Sequence, residues 1–194
     1  MKTSVLTFGL LTILPLAASA MDRLSYNYVE GNYVRTNSDH NTDVDGFGIK
    51  GSYAFSPNFH VFGDLNRQDF PHNDGYSFNE WRAGVGYNAA LNDSADFLGR
   101  VAYAETDVNG PYRNSHGYNL EAGIRNSFNQ NFEGYVLAGY EDYTHNNRVL
   151  SNNGDFYARV GGQVKFNQNW GIVADLKLGG NGYDQWTIGP RLTW

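Results

Sequence analysis

Four of the five histidines, His40, His72, His116 and His145, fall in polar connections of the chain, each close to Asp, Glu or Asn. Imidazole beside carboxylate is a donor set for a transition metal and a proton acceptor near neutral pH. Asp39-His40, Asp74, Ser115-His116, Asp142 and His145 also supply the residue types of a hydrolase. No two of these histidines share a ligand spacing such as H-x3-H, and no catalytic motif surrounds them. The expectation is solvated loop side chains, with weak metal ligation and hydrolysis as the alternatives. The chain has no Cys, which excludes a disulfide framework and a thiolate zinc site.

A second set of residues has a stricter spacing. The acids Glu30, Asp64, Glu80, Glu121, Glu133, Glu141 and Asp175 and the bases Lys50, Arg82, Arg100, Arg125, Arg159, Lys165, Lys177 and Arg191 each fall on one parity of a period-two segment. The other parity is apolar or Gly, as in Phe47, Ile49, Gly51, Tyr53 and Phe55, or Ala158, Val160, Gly162, Val164 and Phe166. Period two predicts strands. Ten are expected: 24–35, 44–55, 58–68, 77–88, 96–106, 117–127, 131–142, 155–166, 169–179 and 184–194. Each is long enough for a tilted strand to cross a bilayer. The charged exceptions on the apolar parity are Arg35, Asp45, Arg67, Glu105 and Asp155, all at the ends that lead into long connections.

In a soluble sandwich or barrel the apolar face points inward and the charges face water. Here the charges are nearly balanced, so they can pair with one another inside, while the aromatic and β-branched face meets lipid. Open strand edges cannot sit in hydrocarbon, so the sheet must close. The turns support this: Phe55-Ser56-Pro57-Asn58-Phe59, Phe128-Asn129-Gln130-Asn131-Phe132 and Phe166-Asn167-Gln168-Asn169-Trp170 alternate with longer polar connections. Two strands per repeat with unequal connections is the pattern of an outer-membrane barrel. The fold class is therefore all-β, a closed up-and-down antiparallel transmembrane barrel of ten strands, with eight as the alternative. Aromatics such as Tyr53, Phe59, Tyr87, Phe132 and Trp170 form a girdle at the short-turn end, and Tyr33, Trp81, Tyr103, Tyr140 and Trp186 form the opposite one. Pro190 on the last strand removes a ladder donor.

The remaining composition fits. Of 194 residues 15% are aromatic and 23 are Gly. The mean hydropathy of −0.53 excludes a multi-span helical protein. The net charge of −6 argues against a nucleic-acid partner. Lys2, the apolar run from Val5 to Leu16 and Ala18-Ser19-Ala20 read as a cleaved secretory signal peptide over 1–20, with the barrel over 21–194. The long connections and their rims hold most of the negative charge.

Val29-Glu30-Gly31-Asn32-Tyr33, Gly46-Phe47-Gly48-Ile49-Lys50, Ala83-Gly84-Val85-Gly86-Tyr87 and Val101-Ala102-Tyr103 give the chain its family likeness. It resembles the small outer-membrane β-barrels that include the eight-stranded virulence-associated barrels of enteric bacteria. Leu24-Ser25-Tyr26-Asn27-Tyr28-Val29-Glu30-Gly31 and Asn58-Phe59-His60-Val61-Phe62-Gly63 are more closely similar to a proteobacterial outer-membrane family once described as secreted signalling or immunity-activating factors. The last segment, with Trp186, Ile188, Leu192 and Trp194 on one face, is similar to the signal that the outer-membrane assembly machinery recognises. The resemblance implies a structural or surface-interaction role for a monomer with the lipid bilayer, lipopolysaccharide and host or environmental surfaces as partners, and no cofactor.

Two readings of the inward face follow. The charges fill a narrow lumen as a paired network. Alternatively the inward Gly48, Gly84, Gly86, Gly123, Gly139, Gly161, Gly171 and Gly189 leave space for a narrow porin-like channel carrying ions or small solutes. A hydrolase at the outer rim is the third reading.

Overall fold

A computed structural model describes residues 24–38, 43–70, 77–109, 114–144, 154–180 and 182–194. The signal-peptide segment, His40, His72 and His145 lie outside the described residues. The elements are β1 (Tyr28–Ser38), β2 (Val44–Ala54), β3 (Phe59–Asp69), β4 (Ser77–Ala90), β5 (Ala95–Asn109), β6 (Ser115–Asn129), β7 (Phe132–Thr144), β8 (Asp155–Lys165), β9 (Trp170–Gly179) and β10 (Tyr183–Thr193). Each strand pairs antiparallel with its sequence neighbour, and β1 pairs with β10, so the sheet is a closed ten-stranded barrel. Closure removes every strand edge, and ten strands replace the alternative of eight.

The short turns share one mechanism. The side-chain oxygens of Ser56, Asn92, Asn129 and Asn167 accept hydrogen bonds from the backbone N–H three residues on, at 2.8–3.0 Å. A side-chain acceptor of this kind substitutes for a backbone turn. The asparagine just before the closing aromatic in three of these turns ties each one to the next strand: Asn58, Asn131 and Asn169 donate to the carbonyls of Asn88, Lys165 and Thr193 at 2.8–3.1 Å. The repeated F-x-x-N-aromatic sequence is thus the bond that joins neighbouring hairpins.

Burial alternates with the same period. In β3, Phe59, Val61 and Leu65 are exposed while His60, Phe62, Asp64, Asn66 and Gln68 are buried. The exposed face is aromatic at both ends. Phe55, Phe59 and Tyr87 form one chain of ring contacts near the short turns, with centroids 6.3 and 5.2 Å apart. Tyr33 with Trp186 (5.5 Å), Trp81 with Tyr103 (5.5 Å) and Tyr140 with Phe156 (5.1 Å) ring the other end.

Four sequence expectations change. The first strand begins at Tyr28, not Leu24, because residues 24–27 leave the ladder and Tyr26 packs inward against His60, Leu98 and Leu137. Asp155 shares the inward face of Tyr157 and Arg159, directly opposite Glu141, and not the lipid face. His116 belongs to strand β6 and not to a connection. The inward glycines do not leave free space: a Cβ at Gly86 would overlap the His60 ring, at Gly139 the Tyr157 ring and at Gly161 the Tyr135 ring. Each of these glycines holds a large side chain across the sheet. Pro190 acts as expected: the β1–β10 register has matched pairs Glu30–Arg191 and Tyr33–Ile188 but none between them.

Candidate functional site: a filled lumen

The inward parity brings together the charged residues expected there. Strand register sets Arg191, Glu30, Lys50, Asp64 and Arg82 side by side on β10, β1, β2, β3 and β4. The charge alternates along this row, so Glu30, Lys50 and Asp64 each lie between two ions of opposite sign, which is how cross-strand pairs stabilise a sheet.

Two carboxylates act as hubs. Glu121 lies 3.1 Å from Arg159 and 3.6 Å from both Arg82 and Arg100, and it accepts a 2.9 Å hydrogen bond from the Tyr157 hydroxyl. Glu133 is 2.6 Å from Arg125, 3.3 Å from Lys165 and 3.4 Å from Arg191. Smaller groups join them. Asp64 binds Arg82 at 2.8 Å. Asp175 lies 3.7 Å from Arg159 and 3.8 Å from Lys50, and accepts a short hydrogen bond from Tyr135. Glu30 pairs with Arg191, and Glu141 with Lys177 at 2.6 Å. Glu80 has Asp64, Lys177, Arg82 and Glu141 as its charged neighbours. Removing such ions from water is costly, so a shared carboxylate with several donors is the arrangement a low-dielectric lumen requires.

Sequence reasoning missed part of this network. Asp96 has the inward parity of Arg100 and accepts a 3.0 Å hydrogen bond from Tyr26. Tyr135, Tyr157 and Gln163 also share the inward parity and bond to Asp175, Glu121 and Arg191. Parity alone was a sufficient signal for all four.

The segment 24–27 closes the short-turn end. Tyr26 turns into the lumen, where it is 5% exposed. Its ring stacks on His60 at 4.6 Å and lies under the Arg125 guanidinium at 4.9 Å. It packs with Leu98 and Leu137, with Leu24 and Tyr135 against them. Burial pushes the Tyr26 phenol above its ordinary range, so it remains a neutral donor to Asp96. The backbone holds the segment in place: Arg125 donates to the Ser25 carbonyl at 2.8 Å, Trp194 N–H donates to the Asn27 carbonyl at 3.1 Å, and the Ser25 hydroxyl donates to the Trp194 carbonyl at 2.9 Å. Among the described residues the lumen holds a cavity of about 30 Å³, lined by Glu30, Asp64 and six bases, room for a water-sized guest.

The other candidates do not assemble. Ser115 is buried and points inward, whereas its neighbour His116 is exposed and packs beside Tyr103 at 6.3 Å. Adjacent strand residues face opposite ways, so this pair is not a nucleophile and its base. Among the described residues no group of three His, Asp or Glu could hold a metal. Trp186, Ile188 and Leu192 share the outward parity of β10, Trp194 follows the strand's end, and Trp186 joins the long-loop girdle through Tyr33.

No family model and no curated protein sequence matches the chain. Solved structures do. The NanC porin is 9% identical, with a TM-score of 0.53 over 86% of this chain and 100% of that one. The outer membrane protein OprG from Pseudomonas aeruginosa is 11% identical, with a TM-score of 0.44 over 88% of this chain and 97% of that one. Ail, the attachment invasion locus protein of Yersinia pestis, is 14% identical, with a TM-score of 0.38 over 86% and 95%. At such identity the likeness is one of fold. The chain is a closed ten-stranded antiparallel barrel, similar in fold to the NanC porin.

Proposed function

We propose that the protein is a structural or surface-interaction barrel of the outer membrane whose lumen does not conduct. The signal peptide 1–20 directs export and is cleaved after Ala20, and the assembly machinery then reads Trp186, Ile188, Leu192 and Trp194. The short turns and both chain ends face the periplasm, with the long connections outside. The protein works as a monomer without a cofactor and catalyses no reaction. The motif likeness of Leu24–Gly31 and Asn58–Gly63 supports kinship with the family once described as signalling factors, but no small excreted module supports a signalling role.

One observation carries this reading. The lumen is blocked twice, by the Glu121 and Glu133 hubs along its length and by Tyr26 at its short-turn mouth. Conduction needs a continuous path. Activity is then left to the outer end, where Asp43, Asp45, Asp69 and Asp142 make an acidic rim. Such a rim suits the divalent cations that bridge lipopolysaccharide, or a basic host or environmental surface.

Planar bilayers holding the purified protein test it. The expected record is a flat baseline. Reproducible conductance steps that scale with salt would overturn the filled-lumen reading and establish a narrow porin-like channel. Release of a fatty acid or peptide, abolished by His→Ala in the connections, would establish a hydrolase instead.

A further inference from the structure

The inward face carries nine carboxylates and eight bases, unevenly distributed along the lumen. Toward the long loops, Glu80, Glu141 and Asp155 share the inward face with Lys177. Below them seven bases (those already described, without Lys177) share the lumen with six carboxylates, namely Glu30, Asp64, Asp96, Glu121, Glu133 and Asp175. The deeper section carries one positive charge in excess.

The excess converges on one place. The cavity of about 30 Å³ is lined by Lys50, Arg82, Arg100, Arg125, Arg159 and Arg191, against only two carboxylates, Glu30 and Asp64. Arg100 is the least satisfied of these bases. Its Nε is buried with no hydrogen-bond partner, and its one carboxylate contact among the described residues is Glu121 at 3.6 Å. Glu121 is shared with two further arginines. Phe62 covers the guanidinium at 5.3 Å, which fixes its plane without accepting its protons. The Arg159 Nε is likewise unpartnered, with Asp175 at 3.7 Å. Buried guanidinium donors are costly to leave unmade.

We infer that the lumen holds one small monovalent anion, of halide size, between Arg100 and the neighbouring guanidinium groups. A single negative charge offsets the local excess, and the cavity admits an ion about as large as one water molecule. The site is an internal counter-ion site that holds the bases together, not a transport station. It rests on the filled-lumen reading, but the two fail separately, because conductance is read in bilayers and the anion is read in the folded protein.

Bromide is the probe. Crystals of the full mature chain grown in sodium bromide should show one anomalous peak in the lumen beside Arg100, and Arg100→Met should lose it. In detergent, the midpoint of heat-modifiable unfolding should rise as chloride replaces gluconate at constant ionic strength. Arg100→Met should abolish that rise, while Lys177→Met should keep it. A lumen without an anomalous peak at saturating bromide, or peaks confined to the loops, would overturn the inference. So would a midpoint indifferent to the choice of anion. These measurements on the unmodified chain decide the matter even where Arg100→Met does not fold.

Discussion

The two ends of the barrel are built from the same alternation but held by different forces. At the short-turn end the chain buries Tyr26, Leu98 and Leu137 inside the sheet and locks each turn with a side-chain oxygen. At the long-loop end the outward ion pairs are exposed: Arg35 and Asp43 are 43% and 45% exposed, and Arg67 and Asp69 are 68% and 69% exposed. The Tyr33 and Tyr118 hydroxyls add bonds to Asp45 and Asp142 at the same rim. A buried contact draws on desolvation and packing, whereas an exposed charge pair competes with water and salt. One end is therefore a stabilising cap, and the other is a surface free to vary.

The contrast breaks hardest where buried charge loses its partner. Glu121→Gln keeps the volume but leaves Arg82, Arg100 and Arg159 without their shared carboxylate. Removing one member of a buried ion cluster costs about 3–5 kcal/mol. Denaturant unfolding of the refolded barrel in micelles should show a loss of this size, or no folded band at all. A variant within 1 kcal/mol of the parent would mean that water, and not Glu121, solvates those bases. Tyr26→Ala comes next, at about 3 kcal/mol for a deleted buried ring. It should loosen the short-turn mouth while bilayers stay silent, because the hubs still fill the lumen. Current through this single variant would show that segment 24–27 is the only barrier.

Much of this was legible before the structure. Period two located every strand to within a few residues at each end, because one face must meet lipid and the other a polar interior. The failures share a physical cause. The residues from Leu24 to Tyr28 continue the alternation, so nothing local marks where pairing stops; what draws the chain inward is the packing of Tyr26 on His60, Leu98 and Leu137, far away in sequence. Gly86, Gly139 and Gly161 looked like space because the rings that fill it, His60, Tyr157 and Tyr135, belong to other strands. The inward charges were readable but their partners were not. Glu133 on β7 meets Arg191 on β10, and Lys50 on β2 meets Asp175 on β9, across the lumen. Such pairs follow from how the closed sheet is sheared, which no short window of sequence contains.

Gly86→Val tests how tightly the interior is filled. The new side chain would occupy the site of the His60 ring, which is itself wedged against Tyr26. Overpacking of this kind costs about 1–3 kcal/mol. The double variant Gly86→Val with His60→Ala should recover part of that loss, since the second change vacates the volume the first one needs. Their coupling is read from a double-mutant cycle. Simple additivity would mean that the two side chains do not share the space.

The smallest effect belongs to the long-loop end. Arg35→Ala removes the 2.8 Å pair with Asp43, which water already surrounds on both sides. Its unfolding midpoint should match the parent within experimental scatter, in low salt and high salt alike. Its consequence should appear in binding. The change makes the rim more acidic, so the affinity of the outer face for divalent cations or a basic surface should rise, and the rise should fade as salt screens it. A clear fall in stability would show that the rim is a second structural cap, and the division of labour between the two ends would no longer hold.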